Sequence, residues 1–386
     1  LRQKLPAFNV PQVTAVTDFD VHAYWACQPC EQFFVARDEC RHALQEMGIS
    51  NDLIHHFLGK SDINSLLKSQ TVRSLYENLH SEYKNSKIRL TMNTMNYPKS
   101  DFIAKSIKTK LDSRKNVMTL SWTTTGRSRV RNTLHIYLDR DSEPNTELLV
   151  EAISFITAFS DKNRKITIHL CMLPDKKILR KNSQRLTNLN VNSGSNYFTD
   201  TESEICIFRK EECIKVIIHE ILHGLRCSAL GSHGAITERL CQKYNLESED
   251  ILIDESYTET WAKILNCYFI SSLTNSSTKY QHFCTMLAIE TEFALYQANK
   301  VKAFVKLTKD KNLDKDTNIT AYYLVVGEIF SNLESFLMNC ESNPYVKDHE
   351  SCLTYLYQLD MPKKRKVSKD DKYYNTLRMS VCELNV

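Results

Sequence analysis

From residue 22 to about residue 115, apolar residues recur at three- and four-residue intervals. CEQFFVARDECRHALQEMG and INSLLKSQTVRSLYENLHSEY are the clearest runs. That spacing gathers apolar side chains on one helix face. It predicts a mainly helical N-terminal region over residues 1–115, after an extended start holding two prolines. Lys and Ser accumulate near residues 99–115, where a boundary is expected.

The period then changes. NVMTLSWTTT (116–125) and NTLHIYLDR (132–140) alternate in the manner of half-buried strands. ELLVEAISFITAFS (147–160) predicts a helix, and RKITIHLCML (164–173) a strand that stops at Pro174-Asp175. A polar loop is expected through NVNSGSNYFT (190–199), then a strand over SEICIFRK (203–210). Residues 211–229 predict a strong helix whose opening Glu211 and Glu212 suit the positive end of the helix dipole. Further helices are expected near 235–245, 254–272, 278–300 and 318–340. A sheet followed by helices predicts an α+β fold, with a catalytic domain spanning residues 116–386.

Two pairs at four-residue spacing change this picture from fold to chemistry. His219 and His223 lie four apart in VIIHEILHGL, so both imidazoles leave the same helix face and can clamp one ion. Glu220 sits beside them, positioned to take a proton from an activated water. The flanks are apolar almost throughout, and buried His and Glu are costly unless they are paired or ligating. A catalytic zinc commonly has a third protein ligand. His233 in GSHG is one candidate. Glu255 and Glu259 in ILIDESYTETWAKIL are the better ones, being again four apart among apolar neighbours. Glu255 is assigned as the ligand. Glu259 is assigned as the group that accepts a hydrogen bond from a ligating histidine and fixes its tautomer.

HEILH followed by a downstream helix with Glu-x-x-x-Glu resembles the gluzincin branch of zincin metallopeptidases. The stretch from VNSGSNYFT through SEICIFRKEECIKVIIHEILHGL to DESYTETWA is similar to zincin-like proteins encoded by large DNA viruses. The resemblance covers about residues 130–340. It implies a zincin-like domain in which His219, His223 and Glu255 bind Zn2+ and Glu220 is the general base. It also implies that SEICIFRK is an edge strand along which an extended protein or peptide substrate lies. An oxyanion donor is expected as well, with Tyr322, Tyr323 and Tyr257 as candidates. The expected activity is that of a zinc-dependent metallopeptidase. The alternatives are a non-catalytic, virion-associated protein that keeps zinc as a structural staple, and a factor associated with nucleic acid.

Composition narrows the setting. Hydrophobic content is 42%, charged content 25% and net charge +4, so the whole chain is not marked as a nucleic-acid binder. The 8 glycines form neither a GxGxxG nor a P-loop. The 13 cysteines are odd in number and mostly stand singly in apolar runs, which predicts reduced thiols in the cytoplasm or nucleus. Cys27, Cys30, Cys40 and His42 have zinc-like spacing. Along one helix, however, Cys30 and Cys40 would stand about 15 Å apart, so buried thiols are expected instead. Pro362–Val367, PKKRKV, matches a short nuclear-import signal, with an import receptor as its expected partner. Asn275-Ser276-Ser277 fits the N-glycosylation pattern, but nothing at the start resembles a secretion signal. No apolar run suits a membrane span, and no membrane partner is expected.

Overall fold

A computed structural model of the chain describes residues 56–386 apart from 60, 87–88, 96–102, 112–115, 124–129, 139–143, 160–163, 181–182, 184, 229–233, 247–250, 275–277, 309–316, 360–366, 370 and 385. Cys27, Cys30, Cys40, His42, His233, Asn275–Ser277 and Pro362–Lys366 therefore lie outside the described residues.

Among the described residues, six strands form one mixed sheet: β1 (Arg89–Met95), β2 (Asn116–Thr123), β3 (Arg131–Leu138), β4 (Lys165–Leu173), β5 (Gly194–Phe198) and β6 (Glu202–Arg209). Their spatial order is β1-β2-β3-β4-β6-β5. β1, β2 and β3 run as an antiparallel meander. β3, β4 and β6 are parallel neighbours, and β5 closes the far edge antiparallel to β6.

β4 is largely buried on both faces because it lies in the middle of the sheet. Ile166, Ile168 and Leu170 face the main core, whereas Cys171 and Leu173 join Val117, Tyr137 and Cys206 in a smaller cluster on the other face. The register of β4 against β6 shifts between Leu170 and Leu173, where Met172 takes φ 47°.

The helices on the main-core side are α1 (Ile63–Lys68), α2 (Gln70–Asn85), α4 (Thr146–Ala158), α6 (Cys213–Gly224), α8 (Ile253–Ser272) and α9 (Lys279–Thr308). Helices α3 (Lys105–Leu111), α5 (Asn188–Val191), α7 (Gly234–Tyr244), α10 (Val326–Ser331), α11 (Leu333–Asn339) and α12 (His349–Gln358) are the others among the described residues. α8 is the central rod, buried at every position from Ser256 to Ser272. A helix covered on all sides is not amphipathic, which explains why apolar residues surround it in sequence. The protein is thus a mixed α and β fold. Among the described residues, no helix is long and apolar enough to cross a membrane.

Three expectations are corrected. Residues 63–111 do not form a separate helical region ending at 115: α1 and α2 pack on α9 within the main core, and β1 joins the sheet. RLTMNTM alternates only over Leu90 and Met92 before Thr94 breaks the pattern, so the helical periodicity around it hid a strand. The expected helix at 318–340 is broken into a π-turn (Thr320–Val325), α10 and α11. The helix expected over 211–229 is shorter, ending at Gly224.

Candidate metal centre

α6 is held from three sides. It packs on β6 and β5 through its own apolar face, on α4, and along α8. Gly224 permits the close approach to the sheet, because a Cβ there would stand 2.6 Å from Ser203 Oγ. At the other end, Glu212 precedes the helix in the left-handed region, φ 60°. Such a backbone is strained for a residue with a Cβ. It is held by a buried set of bonds: Lys177 Nζ donates to Glu212 Oε2 at 2.8 Å, and Met379 N to Oε1 at 2.9 Å.

Along α6, Lys215, His219 and His223 succeed one another at four-residue steps; along α8, Glu255, Glu259 and Lys263 do the same. The two stripes face each other inside the protein. His219 Nε2 and His223 Nε2 lie 3.2 and 3.1 Å from Glu255 Oε2, and 3.1 Å from each other. Three ligand atoms bound at 2.0–2.1 Å to one tetrahedral ion stand about 3.3 Å apart. The triangle therefore has nearly the edge that zinc demands. Two imidazoles and one carboxylate are also a donor set of catalytic zinc sites.

The next rung supports the first. Glu259 Oε2 comes within 3.0 Å of His219 Nδ1, close but bent away from a linear hydrogen bond. Lys215 Nζ bonds both oxygens of Glu259, at 2.8 and 2.9 Å. Burial disfavours charge on Glu259, but Lys215 and His219 outweigh it and hold the carboxyl well below its usual range. Burial likewise opposes a charged His219, yet its bond to Glu255 and the close Glu259 carboxylate carry its pKa up to about 9. Both carboxylates thus press on the same ring, one at each nitrogen.

Glu220 is buried beside the triangle, and that burial raises its pKa against the pull of His219 and His223. A raised carboxyl suits a group that must both accept and return a proton. Its space comes from β5: a Cβ on Gly194 would lie 2.4 Å from Glu220 Oε1. Asn196, on the same strand, donates through Nδ2 to the Glu220 carbonyl at 2.7 Å.

The three candidate tyrosines separate. Tyr322 donates its hydroxyl to Glu255 Oε2 at 3.0 Å and packs edge-on to His219. Tyr323 turns away, donates to the Leu377 carbonyl and packs in a second core cluster, so its assignment as a catalytic group is corrected. Consecutive residues on a helical turn point in different directions, and only one of this pair can enter the site. Tyr257 is buried against Phe336, with its hydroxyl 3.5 Å from the Asn343 carbonyl, and does not enter either.

One more correction concerns the substrate edge. β6, which carries SEICIFRK, is an interior strand with β4 and β5 on its two sides, and the edge is β5. In β5, Ser195, Tyr197 and Phe198 are exposed and Gly194 and Asn196 half-buried, so the strand shows no apolar alternation to read.

A second cluster lies further along α8, where Cys267, Glu290 and Cys382 bring potential ligand atoms within 4.8 Å of one another. Glu290 is already engaged by Lys263 Nζ (3.0 Å), Ser380 Oγ (2.8 Å) and Val381 N (3.0 Å). Burial raises the Cys267 thiol, and the Cys382 thiol is held well up by its hydrogen bond with Cys267 and by burial. The cluster therefore works as a pin between α8, α9 and the segment Met379–Cys382.

No protein-family model, curated protein or solved structure matches this chain.

Proposed function

We propose that the protein is a zinc-dependent peptidase of zincin-like type. The observation that carries the reading is the triangle of His219 Nε2, His223 Nε2 and Glu255 Oε2, with edges of 3.1–3.2 Å, beside a buried Glu220.

His219, His223 and Glu255 would hold the metal. Bound zinc supplies Lewis acidity, polarising a carbonyl and making a water acidic enough to attack it near neutral pH. Glu220 accepts the proton lost by the attacking water and delivers it to the leaving amine. Tyr322 gives up its bond to Glu255 and donates to the oxyanion that forms on the carbonyl. Glu259 keeps the His219 ring turned with Nε2 toward the site.

β5 supports the peptide part of the reading. Among the described residues it pairs with one neighbour, β6, and its other side can accept an extended chain as an added strand. Gly194 at its start brings that chain alongside Glu220.

Metal analysis of the purified protein, with Glu220→Gln as the companion, tests the proposal. The expected result is about one zinc per chain in both proteins, with peptide hydrolysis only in the wild type. Absence of zinc from both, with stability unchanged by chelator, would end the zinc reading. Metal without hydrolysis in either protein would leave zinc as a structural staple.

A further inference from the structure

We infer that Lys215 is a positioning residue of the metal centre, acting on His219 through Glu259. The inference rests on the metal-centre reading and extends it to a residue outside the HEILH motif.

Lys215 is 2% exposed and lies one helical turn before His219 on α6. A lysine in such a place is unusual, because burying an ammonium is costly unless it is paired. Its pairing is specific. Nζ donates to both Glu259 oxygens, at 2.8 and 2.9 Å, and has Met379 Sδ at 3.8 Å on its remaining side. Glu259 is 0% exposed.

A carboxylate on a three-bond side chain can turn in several ways. With both oxygens gripped by one ammonium, the plane of the Glu259 carboxylate is fixed, and Oε2 is left 3.0 Å from His219 Nδ1. That contact holds the imidazole with Nδ1 inward and Nε2 toward His223 and Glu255. Groups that orient a metal-ligating histidine in this way are commonly worth 10–100-fold in metal affinity.

Lys215 also balances charge. Glu255 and Glu259 bring two carboxylates to one imidazole, and Lys215 is the cation that neutralises the deeper of the two. Other cations nearby are committed elsewhere: Lys177 to Glu212, and Lys263 to Glu290.

Acting through Glu259 has a sharp consequence. Removing Lys215 must weaken metal binding when Glu259 is present and matter little when Glu259 has already been neutralised. A residue that merely fills space behind α6 would have the same effect in both backgrounds.

The experiment titrates Co2+ into the metal-free protein and reads both its dissociation constant and its visible absorption spectrum, which reports ligand geometry. Four proteins are compared: wild type, Lys215→Met, Glu259→Gln, and the double variant. Lys215→Met is expected to bind Co2+ about tenfold or more weakly than wild type, with an altered spectrum. Glu259→Gln and the double variant are expected to bind equally, within about twofold. Should Lys215→Met not fold, Lys215→Gln takes its place; the same comparison applies, and equal binding to wild type overturns the inference. Equal losses from the lysine substitution in both backgrounds overturn it too. A wild-type protein that takes up no Co2+ overturns the metal-centre reading and this inference together, whereas a wild type that binds while the lysine variants bind as tightly overturns only the inference.

Discussion

Gly194 and Glu220 are matched so closely that the absence of a side chain on one makes room for the carboxylate of the other. A Cβ on Gly194 would lie 2.4 Å from Glu220 Oε1 and 3.0 Å from Glu220 Cγ. Gly194→Ala is therefore expected to displace Glu220 while leaving His219, His223 and Glu255 in place. A misplacement of about 1 Å at a reacting group can cost about 10²-fold in rate. Steady-state kinetics should show the loss in kcat, and metal content should stay at the wild-type level.

Tyr322→Phe removes one hydroxyl from the site and no metal ligand. If that hydroxyl stabilises the oxyanion, kcat should fall by about 10²–10³-fold with little change in KM. The comparison with Tyr323→Phe is decisive, because the Tyr323 hydroxyl is bound to the Leu377 carbonyl. That second variant should lose some stability and keep its kcat.

Lys300 gives the fold a pH dependence on the alkaline side. It is 0% exposed, its ammonium donates to the carbonyls of Tyr373 and Thr376, and burial lowers its pKa to about 7, with Asp371 opposing. In the unfolded chain the same group titrates near 10.5. Between those two values the unfolded chain holds a proton that the folded chain lacks, so this group makes stability rise with pH. The slope it contributes is at most about 1.4 kcal/mol per pH unit. Urea unfolding from pH 6 to pH 10 should show that rise in the wild type and a flatter profile in Lys300→Met.

Glu212→Ala should be strongly destabilising. It leaves Lys177 buried without its carboxylate and removes the acceptor of Met379 N and Ser380 N. Breaking one side of a buried pair costs about 3–5 kcal/mol, readable as a shift in urea midpoint. Burial works against the Glu212 charge, but Lys177, Lys215 and Arg378 overcome it and lower the pKa to about 2. The stability it contributes is therefore present above the ordinary carboxylate range and is lost as pH falls toward 2.

How much of this was legible in the sequence depended on spacing. His219 with His223, and Glu255 with Glu259, declared their shared faces through four-residue steps, and the structure brings those faces together. Tyr322 was one of three candidates, and no sequence pattern could separate it from Tyr323, since the choice is made by a π-turn. Lys215 stands in the same four-residue series as His219 and His223. Its signal was there, but an isolated lysine in a helix ordinarily reads as a surface residue. β5 was read as loop because its small and polar residues Gly194, Ser195 and Asn196 precede two exposed aromatics, Tyr197 and Phe198, with no alternation. β1 was missed for a related reason, its apolar alternation covering only Leu90 and Met92 before Thr94 interrupts it.

The facing stripes on α6 and α8 also bear on how the helices find their alignment. Apolar helix surfaces tolerate sliding, because one greasy ridge fits a groove nearly as well as the next. Here a slide of one turn, about 5.4 Å, would in one direction set Lys215 against Lys263. In the other it would carry Glu259 past Lys215 and leave its carboxylate buried without a cation. Both misalignments are electrostatically penalised, so the arrangement that assembles the metal ligands is also the one into which this pair of helices locks.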